Sequence, residues 1–447
     1  MISGFNLALG PRVNDRDLRE LARLYGVQLS YEDASGKTRK ATPEQLRAIL
    51  RVRVRDGMSL DDALKFRRTH MPRREKIAAP ERAPSPTQKI WGIFVPIYAM
   101  HQPDLTGMQH YQQWVRELGG AFVATLPLNA LDDDERSPYS PTSRLFWNEL
   151  YLDVTRLPEY RGEKSDDKRA LLKKLSQRWM PPNDVDPLLR AYAEFRAAHA
   201  IPSVSEELGG EGGAKKRNLR TARPTRSLAD ARDDFTYHLY VQLRMSEQMS
   251  DLESMYLDFP LGVKAGGFDN TQFAGHFAKG VSVGAPPDLF FTKGQNWGFP
   301  PPEPDADHSY FRACIRKAVQ HASILRIDHV MGLHRLFWIP DGAEPKDGVY
   351  VRYPAEELYA VLMSEAQRTG TVIVGEDLGT VPKYVPQAMN RHGIRRMYVV
   401  QYELPKLDGP QRESIASINT HDMPTFAGFW QGKDIDERVE RDLLDKK

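Results

Sequence analysis

The first 73 residues have the hydrophobic spacing of helices rather than of strands. Leucines recur at helical intervals within residues 15–25, and Thr42 followed by Pro43 is typical of a helix start, with threonine as the N-cap and proline at the first helical position. Between these two stretches, residues 27–31 predict one strand of a short hairpin. We therefore expect residues 1–73 to form a mostly helical N-terminal region.

The pattern changes after residues 74–88, a proline-containing stretch with little to bury that predicts a linker. From there on, short apolar runs alternate with helical stretches, which is typical of parallel strands in an α/β sheet or barrel. The predicted strands cover residues 90–98, 120–128, 255–259, 323–327, 371–375, 397–403 and 415–419. Nearly all have polar residues at their C-terminal ends, which predicts an α/β fold of the (β/α)₈ TIM-barrel type over residues 89–447.

Two features depart from a plain barrel. Residues 131–250 predict a long, largely helical insertion, and within it residues 203–226 are glycine-rich and basic, which favours a mobile surface loop over an anion-binding patch. The chain also ends about two dozen residues past Asp422, where an eighth strand and its helix belong. We therefore expect the eighth strand to be absent from this chain.

Carboxylates follow three of the predicted strands. Asp328 follows the fourth strand, Glu376 the fifth and Asp422 the seventh. Arg326 lies two residues before Asp328 on the same strand, so the two side chains point to the same side. In a barrel the C-terminal ends of the strands form the active site, so we expect the three carboxylates to converge on one pocket.

Glycoside transfer uses such a set of carboxylates. One attacks the anomeric carbon, and a protonated second one, roughly 5–5.5 Å away in a retaining enzyme, donates to the leaving oxygen. Arg326 beside Asp328 would hold that carboxylate ionised, and the negative charge would help keep the acid protonated. Each motif alone also fits a structural ion pair or a helix cap. Three motifs in order, each at a strand end, favour catalysis.

Composition narrows the class of protein. Hydrophobic residues make up 40% and charged residues 27% of the chain, and the net charge is +2, which gives no reason to expect nucleic acid or membrane partners. The single cysteine, Cys314, cannot form an internal disulfide, and the N-terminus has no signal-peptide pattern. These features predict a cytoplasmic protein.

Several long motifs resemble the 4-α-glucanotransferase (amylomaltase) family, within it the bacterial branch that uses maltodextrins. The resemblance runs from about residue 88 to the C-terminus, and a weaker one covers residues 21–50. The matching segments are residues 137–151 (SPYSPTSRLFWNELY), 256–263 (YLDFPLGV), 284–301 (GAPPDLFFTKGQNWGFPP), 325–340 (LRIDHVMGLHRLFWIP), 374–382 (VGEDLGTVP) and 420–425 (THDMPT).

The resemblance implies a retaining double displacement that moves α-1,4-glucan segments between maltooligosaccharides or to glucose through a covalent glycosyl-enzyme. It implies Asp328 as nucleophile, Glu376 as general acid/base and Asp422 as transition-state stabiliser. It also implies contacts to the sugar from Asp258, Arg326, His329 and His421, and from Tyr139, Gln295 and Trp297 in the substrate-facing segments. Trp297 is the best candidate for an aromatic platform under a sugar ring, although the same residue also suits packing within its loop.

Two other functions remain open on this reasoning. A related hydrolase or branching enzyme would use the same three carboxylates on the same barrel, and a non-catalytic glucan-binding protein would keep the site without turnover. The segment 284–301 favours the transferase. We expect no metal, because no His/Cys cluster has ligand spacing, and no cofactor, because no phosphate-cradling glycine motif is present.

Overall fold

The computed structural model describes residues 14–440 except 34, 55–56, 73, 87, 200–227, 289–290 and 405. Its helices are α1 (Asp15–Leu24), α2 (Pro43–Arg53), α3 (Leu60–Thr69), α4 (Leu105–Glu117), α5 (Lys168–Ser176), α6 (Pro187–His199), α7 (Leu228–Ser250), α8 (Phe268–Gln272), α9 (Ser309–Val319), α10 (Ala355–Thr369), α11 (Tyr384–His392), α12 (Val400–Glu403), α13 (Phe426–Trp430) and α14 (Lys433–Glu440).

The strands are β1 (Ser30–Glu32), β2 (Thr38–Lys40), β3 (Gly92–Phe94), β4 (Phe122–Ala124), β5 (Asn129–Ala130), β6 (Ser143–Trp147), β7 (Met255–Phe259), β8 (Val281–Ala285), β9 (Gln295–Asn296), β10 (Ile324–Ile327), β11 (Arg335–Pro340), β12 (Val349–Arg352), β13 (Val372–Gly375), β14 (Arg396–Val399) and β15 (Ser414–Ser417).

The described residues fall into two compact units. The first comprises those of Met1–Pro96, Gln112–Leu145 and Glu253–Lys447, and the second comprises those of Ile97–Tyr111 and Phe146–Leu252. The second unit contains α5, α6 and α7. The loop predicted over residues 203–226 lies outside the described residues. Among the residues that the structure describes, no helix is long and apolar enough to cross a membrane.

A parallel sheet organises the first unit. Its strands lie in the order β13-β10-β7-β4-β3, and every pairing is parallel. A parallel bridge between Val374 and Arg395 leads from β13 towards the parallel pair β14-β15. The predicted α/β class with a parallel sheet is therefore confirmed, and strands stand at all seven predicted positions.

Three of these strands are several residues shorter than predicted, and the bounds of the other four lie within two residues of the prediction. Proline cannot donate a backbone hydrogen bond to a neighbouring strand, so the ladders of β3 and β4 stop before Pro96 and Pro127. The stretch expected as one strand over residues 397–403 is instead the strand β14 followed directly by the short helix α12. As predicted, the polar residues still follow the carboxyl ends of the strands in the structure.

The N-terminal residues add helices and a hairpin to the first unit. Thr42 caps α2 through a capping box with Gln45, and β1 pairs with β2 in an antiparallel hairpin. Val27 forms an antiparallel bridge with Val351, so the chain before the hairpin extends the edge of a second sheet. Residues 74–86 contain no helix or strand.

This second sheet is antiparallel, in the order β12-β11-β8-β9, and the sequence reasoning did not predict it. Its strands lie in the long connections that follow β7 and β10. One face packs against the N-terminal helices in a common hydrophobic core. That core includes Leu18, Leu21, Leu46, Ile49, Leu50, Leu64, Val281, Val283, Leu336, Trp338, Val349 and Val351.

Candidate active site

A buried arginine joins two carboxylates at the ends of β7 and β10. Arg326 and Asp258 are opposite each other in the parallel ladder. The Arg326 Nη1 donates to both Asp258 oxygens, at 2.7 and 2.8 Å, and to Oδ1 of Asp328 at 3.0 Å. The Arg326 and Asp258 side chains are 9% and 4% exposed, whereas that of Asp328 is 22% exposed. Asp328 is thus the carboxylate of this group that a substrate can reach.

Glu376, which follows β13, is held against the backbone that follows Asp328. Its Oε2 accepts a hydrogen bond from the backbone N–H of His329 at 2.9 Å, and its Oε1 accepts one from the backbone N–H of Leu378 at 2.6 Å. His329 has a left-handed backbone conformation with φ 47°, which is unusual for a residue with a side chain. Such a conformation is typical of functional sites. Here it forms part of the turn that carries the N–H bonded to Glu376.

Burial shifts the protonation of both carboxyl groups in the same direction. It raises the pKa of Asp328, opposed by the positive charge of Arg326, and the negative charges of Asp258 and Glu376 add to the increase. Burial also raises the pKa of Glu376, opposed by Arg326 and by the two backbone hydrogen bonds. A proton is therefore retained in this pair at a pH where a free carboxyl group would have lost it. Because Arg326 bonds to Asp328 directly, Glu376 is the better holder of that proton.

His329 presents a neutral ring to the site. Burial, reinforced by the nearby charges of Arg335 and Arg326, lowers the pKa of His329 to about 4. A neutral imidazole both donates and accepts hydrogen bonds, which suits contact with uncharged hydroxyl groups.

His421, which follows β15, contacts this group. Its ring stacks on that of Tyr139, with ring centroids 5.0 Å apart, and the Tyr139 hydroxyl donates to Asp258. Asp422 is different, because its side chain is 75% exposed and its Oδ1 lies 3.3 Å from Nε2 of His421. The described contacts bring together Asp258, Arg326, Asp328, Glu376, Tyr139 and His421, and Asp422 lies at the exposed margin of the group.

Trp297 and Gln295 lie on the loop and strand that border the site. The Trp297 Nε1 donates to Oε1 of Gln295 at 3.1 Å, and its ring meets His329 edge-on with centroids 5.5 Å apart. The Trp297 side chain also packs against the core that the N-terminal helices share with the second sheet. The Trp297 ring therefore contacts both the hydrophobic core and His329 of the site.

Sequence reasoning missed a buried network that supports the loop after Asp258. The Arg144 Nη1 donates to the backbone carbonyls of Pro260 and Leu261 at 3.3 and 3.1 Å, and its guanidinium bonds to the Tyr310 hydroxyl. That hydroxyl in turn donates to Asp269 at 2.7 Å. Because these partners are far apart in sequence, no local pattern marks them.

Asp377 was also missed, although a signal was available. It directly follows Glu376, beyond the end of β13, and it accepts hydrogen bonds from Nε of Arg396 at 2.5 Å and from the backbone N–H of Met397 at 3.0 Å. Asp377 thereby ties the end of β13 to β14. The available signal was the second carboxylate directly beside Glu376 at the end of a predicted strand.

Within the described residues, no group of three or more His, Cys, Asp or Glu side chains could hold a metal ion. The residues of the site offer a carboxylate bonded to a cation, beside a carboxyl group with a raised pKa and with hydrogen-bonding groups around both.

The model of the 4-alpha-glucanotransferase family, a glycoside hydrolase family, matches residues 95–186 and 183–447, which is well over half of the chain. The chain belongs to this family.

Its relatives carry the same description. A 4-alpha-glucanotransferase of Mycobacterium tuberculosis is 31% identical, in a match that covers 80% of this chain and 60% of the relative. One of Haemophilus influenzae is 27% identical, with 78% of this chain and 61% of the relative covered. The chain therefore spans about 60% of the length of these relatives.

Solved structures of the family share the fold. An amylomaltase from Corynebacterium glutamicum superposes with a TM-score of 0.78 at 22% identity, over 97% of this chain and 83% of the other. An amylomaltase from Streptococcus agalactiae, solved in complex with acarbose, gives a TM-score of 0.60 at 19% identity, over 80% of this chain and 85% of the other.

Proposed function

We propose that this chain is a 4-α-glucanotransferase that moves α-1,4-glucan segments by a retaining double displacement. The observation that carries the proposal is the pairing of Asp328, bonded to the buried Arg326, with Glu376, whose carboxyl group is held by the backbone of His329. Burial raises the pKa of both carboxyl groups, and the Arg326 cation bonded to Asp328 favours Asp328 as the ionised member and Glu376 as the acid. A glycosidic bond needs such a nucleophile and such an acid to break.

In the first step, an oxygen of Asp328 attacks the anomeric carbon of the donor glucan. The bond from that carbon to the glycosidic oxygen breaks, and the proton of Glu376 passes to the leaving oxygen. The products are a glycosyl ester on Asp328 and a shortened glucan. The charge of Glu376 is then negative, so it is ready to accept a proton.

In the second step, the 4-hydroxyl group of an acceptor sugar attacks the same anomeric carbon. Glu376 takes the hydroxyl proton, the ester bond breaks, and Asp328 returns to its ionised form. Two displacements at one carbon restore its original configuration, so an α-linked donor gives an α-linked product. If water replaces the acceptor, the same site is a hydrolase.

We assign sugar contacts to the polar and aromatic residues around the pair. Asp258, Arg326, His329 and His421 would bind hydroxyl groups, and Asp422 would stabilise the positive charge of the transition state from the margin of the site. Tyr139, Gln295 and Trp297 would complete the substrate-binding set. The acarbose bound to the related amylomaltase supports α-glucan donors and acceptors as the substrates of this chain.

We also propose a domain organisation for the chain. Residues 89–447 would form the catalytic region, with the seven parallel strands as members of a TIM barrel and residues 131–250 as an insertion. Residues 1–73 would form a helical N-terminal region, joined through residues 74–88. The proposed reaction uses no metal and no cofactor, because side-chain carboxyl groups supply the nucleophile and the proton.

The product pattern from maltotriose tests the function. A transferase releases glucose together with chains longer than maltotriose, a hydrolase releases only shorter sugars, and a binding protein releases nothing. We expect the first pattern, and we expect Asp328→Asn to lower the rate by at least about 10³-fold, since an amide cannot form the ester. Activity of the variant within tenfold of the unmodified chain would overturn the assignment of the nucleophile.

A further inference from the structure

The N-terminal helices hold two arginines against the chain segment that follows Trp297. Arg53 is the last residue of α2 and Arg67 lies on α3, and their side chains are 2% and 9% exposed. Two buried cations in a small helical region need an explanation, because burying a charge is unfavourable unless it is paired.

The partners of both arginines lie on one short acidic segment. Arg53 bonds to Glu303 and, through Nη2, to Oδ2 of Asp305 at 3.1 Å. Arg67 forms a two-point pair with Asp305, with Nη1 2.8 Å from Oδ2 and Nη2 3.0 Å from Oδ1. The pairs join residues separated by more than 200 positions in the sequence. They are therefore tertiary anchors rather than local turns.

Aromatic rings fix the direction of the two guanidinium groups. Arg67 lies over the ring of Tyr25 at 4.5 Å from the ring centroid, and Arg53 lies over the rings of Tyr25 and Trp338 at 5.7 and 5.4 Å. A cation over an aromatic face is attracted to it, and the planar group is held in orientation. The ion pairs therefore tie Glu303 and Asp305 to the N-terminal helices, in addition to the backbone hydrogen bond from Glu303 to His276.

The acidic segment is continuous with the loop that carries Trp297. Val283 donates its backbone N–H to Phe299 at 2.8 Å and accepts the N–H of Trp297 at 2.9 Å, and the Tyr353 hydroxyl bonds to the carbonyl of Pro302 at 2.8 Å. Trp297 and Phe299 pack against the core formed in part by α1, α2 and α3. Glu303 and Trp297 are thus linked through a short chain segment and a shared core, which is the route by which a change at Glu303 could reach Trp297.

The same segment also borders the catalytic residues. Pro302 and Glu303 line a cavity of about 90 Å³ whose wall includes Asp328 and His329. Trp297 meets His329 edge-on. The anchored segment and the Trp297 ring therefore both lie close to His329.

We propose that Arg53 and Arg67 are positioning residues, through which the N-terminal helices hold the Trp297 loop in place for the sugar chain. This inference rests on the proposed function for its kinetic form. Its consequence is that the N-terminal region controls binding of the glucan more than the chemical steps at Asp328 and Glu376. Loss of the anchor should therefore raise KM and leave kcat nearly unchanged.

Arg53→Met tests the proposal, with Arg53→Lys as the conservative variant and the exposed Arg51→Met on the same helix as the control. We expect Arg53→Met to raise KM for maltotriose by about tenfold with less than about threefold change in kcat. Arg53→Lys should recover part of the loss, because it restores the charge, and Arg51→Met should behave as the unmodified chain. All four proteins are assayed well below their unfolding temperatures.

A double-mutant cycle with Trp297→Ala separates positioning from general destabilisation. If Arg53 acts through the loop, Arg53→Met should change KM little once Trp297 is absent. An equal change in KM in both backgrounds, or a lower unfolding temperature with unchanged KM, would overturn the proposal. If Arg53→Met does not fold, the same double-mutant cycle is measured with Glu303→Gln, which removes the charge of the partner of Arg53.

A binding measurement distinguishes this inference from the proposed function. If the unmodified chain shows no turnover, the transferase proposal fails. Calorimetric titration with maltotriose then measures the same cycle as dissociation constants, with about tenfold weaker binding expected for Arg53→Met in the Trp297 background only. Equal binding by Arg53→Met and the unmodified chain would contradict the anchor.

Discussion

The segments that follow β10 and β15 have similar sequence motifs but different surroundings. Every residue of β10 is buried, and Arg326 behind Asp328 is paired twice with Asp258. The residues of β15 are half-buried or exposed, and the Asp422 side chain is 75% exposed with His421 as its ionic neighbour. Both ends have an aspartate next to a histidine, yet one lies in a buried charge network and the other is open to water.

The difference shows what the protein scaffold adds to a motif. A carboxylate in a buried network responds to its partners, so its pKa and its reactivity are set by the fold. The side chain of an exposed carboxylate can adopt several conformations. It acts on a substrate only when contacts with the bound substrate fix one of them. The two strand ends should therefore respond differently to mutation, in activity, in stability and in pH dependence.

The largest expected effect separates the acid from the nucleophile within the buried network. Glu376→Gln should lower transfer from maltotriose by about 10²–10⁴-fold, because the leaving sugar oxygen is no longer protonated. The same variant should still release fluoride from α-glucosyl fluoride, whose leaving group needs no proton. Equal losses on both donors, measured as initial rates beside the unmodified chain, would mean that Glu376 has another role.

A second prediction compares stability at the two strand ends. Arg326→Met should lower the free energy of unfolding by about 3–5 kcal/mol, since it leaves the buried Asp258 without its cation. Asp422→Asn should change that free energy by less than about 0.5 kcal/mol, because the side chain is exposed. Urea unfolding of both variants checks the comparison. Similar free energies for the two variants would remove the distinction between the buried and the exposed end.

A third and smaller effect concerns pH. The raised pKa values of Asp328 and Glu376 mean that the folded chain keeps protons that the unfolded chain releases at lower pH. This contribution therefore destabilises the fold as pH rises above the usual carboxyl range. Asp328→Asn should be more stable than the unmodified chain at pH 8 by about 1 kcal/mol, and the gap should close by about pH 4. A gap that widens on acidification would show that the sign is wrong.

The sequence predicted the parallel strands and their polar ends because both are local features. Short apolar runs, proline positions and the residues after each run are visible in any window of a few residues. The spacing of Arg326 and Asp328 likewise follows from the alternation of one strand. Thr42 and Pro43 indicate the start of α2 in the same way, and Thr42 caps this helix, through a capping box with Gln45 that was not predicted.

Other features depend on partners that are distant in sequence. The antiparallel sheet of β8, β9, β11 and β12 draws its strands from two separate connections, and Val27 extends its edge from the N-terminal region. The bonds from Arg144 to Pro260 and from Arg53 to Asp305 also cross long distances in the chain. No periodicity encodes such pairs, so only the fold reveals them.

The central claim is that Asp328 forms a covalent ester with the transferred sugar, and mass spectrometry can test it directly. In Glu376→Gln, α-glucosyl fluoride should load the nucleophile, while the missing general base slows release of the sugar. Acid quenching, proteolysis and peptide mapping should then find a single glucosyl group on the peptide that contains Asp328, and none in Asp328→Asn/Glu376→Gln. Fluoride release without an adduct, or an adduct on a different carboxylate, would contradict the account.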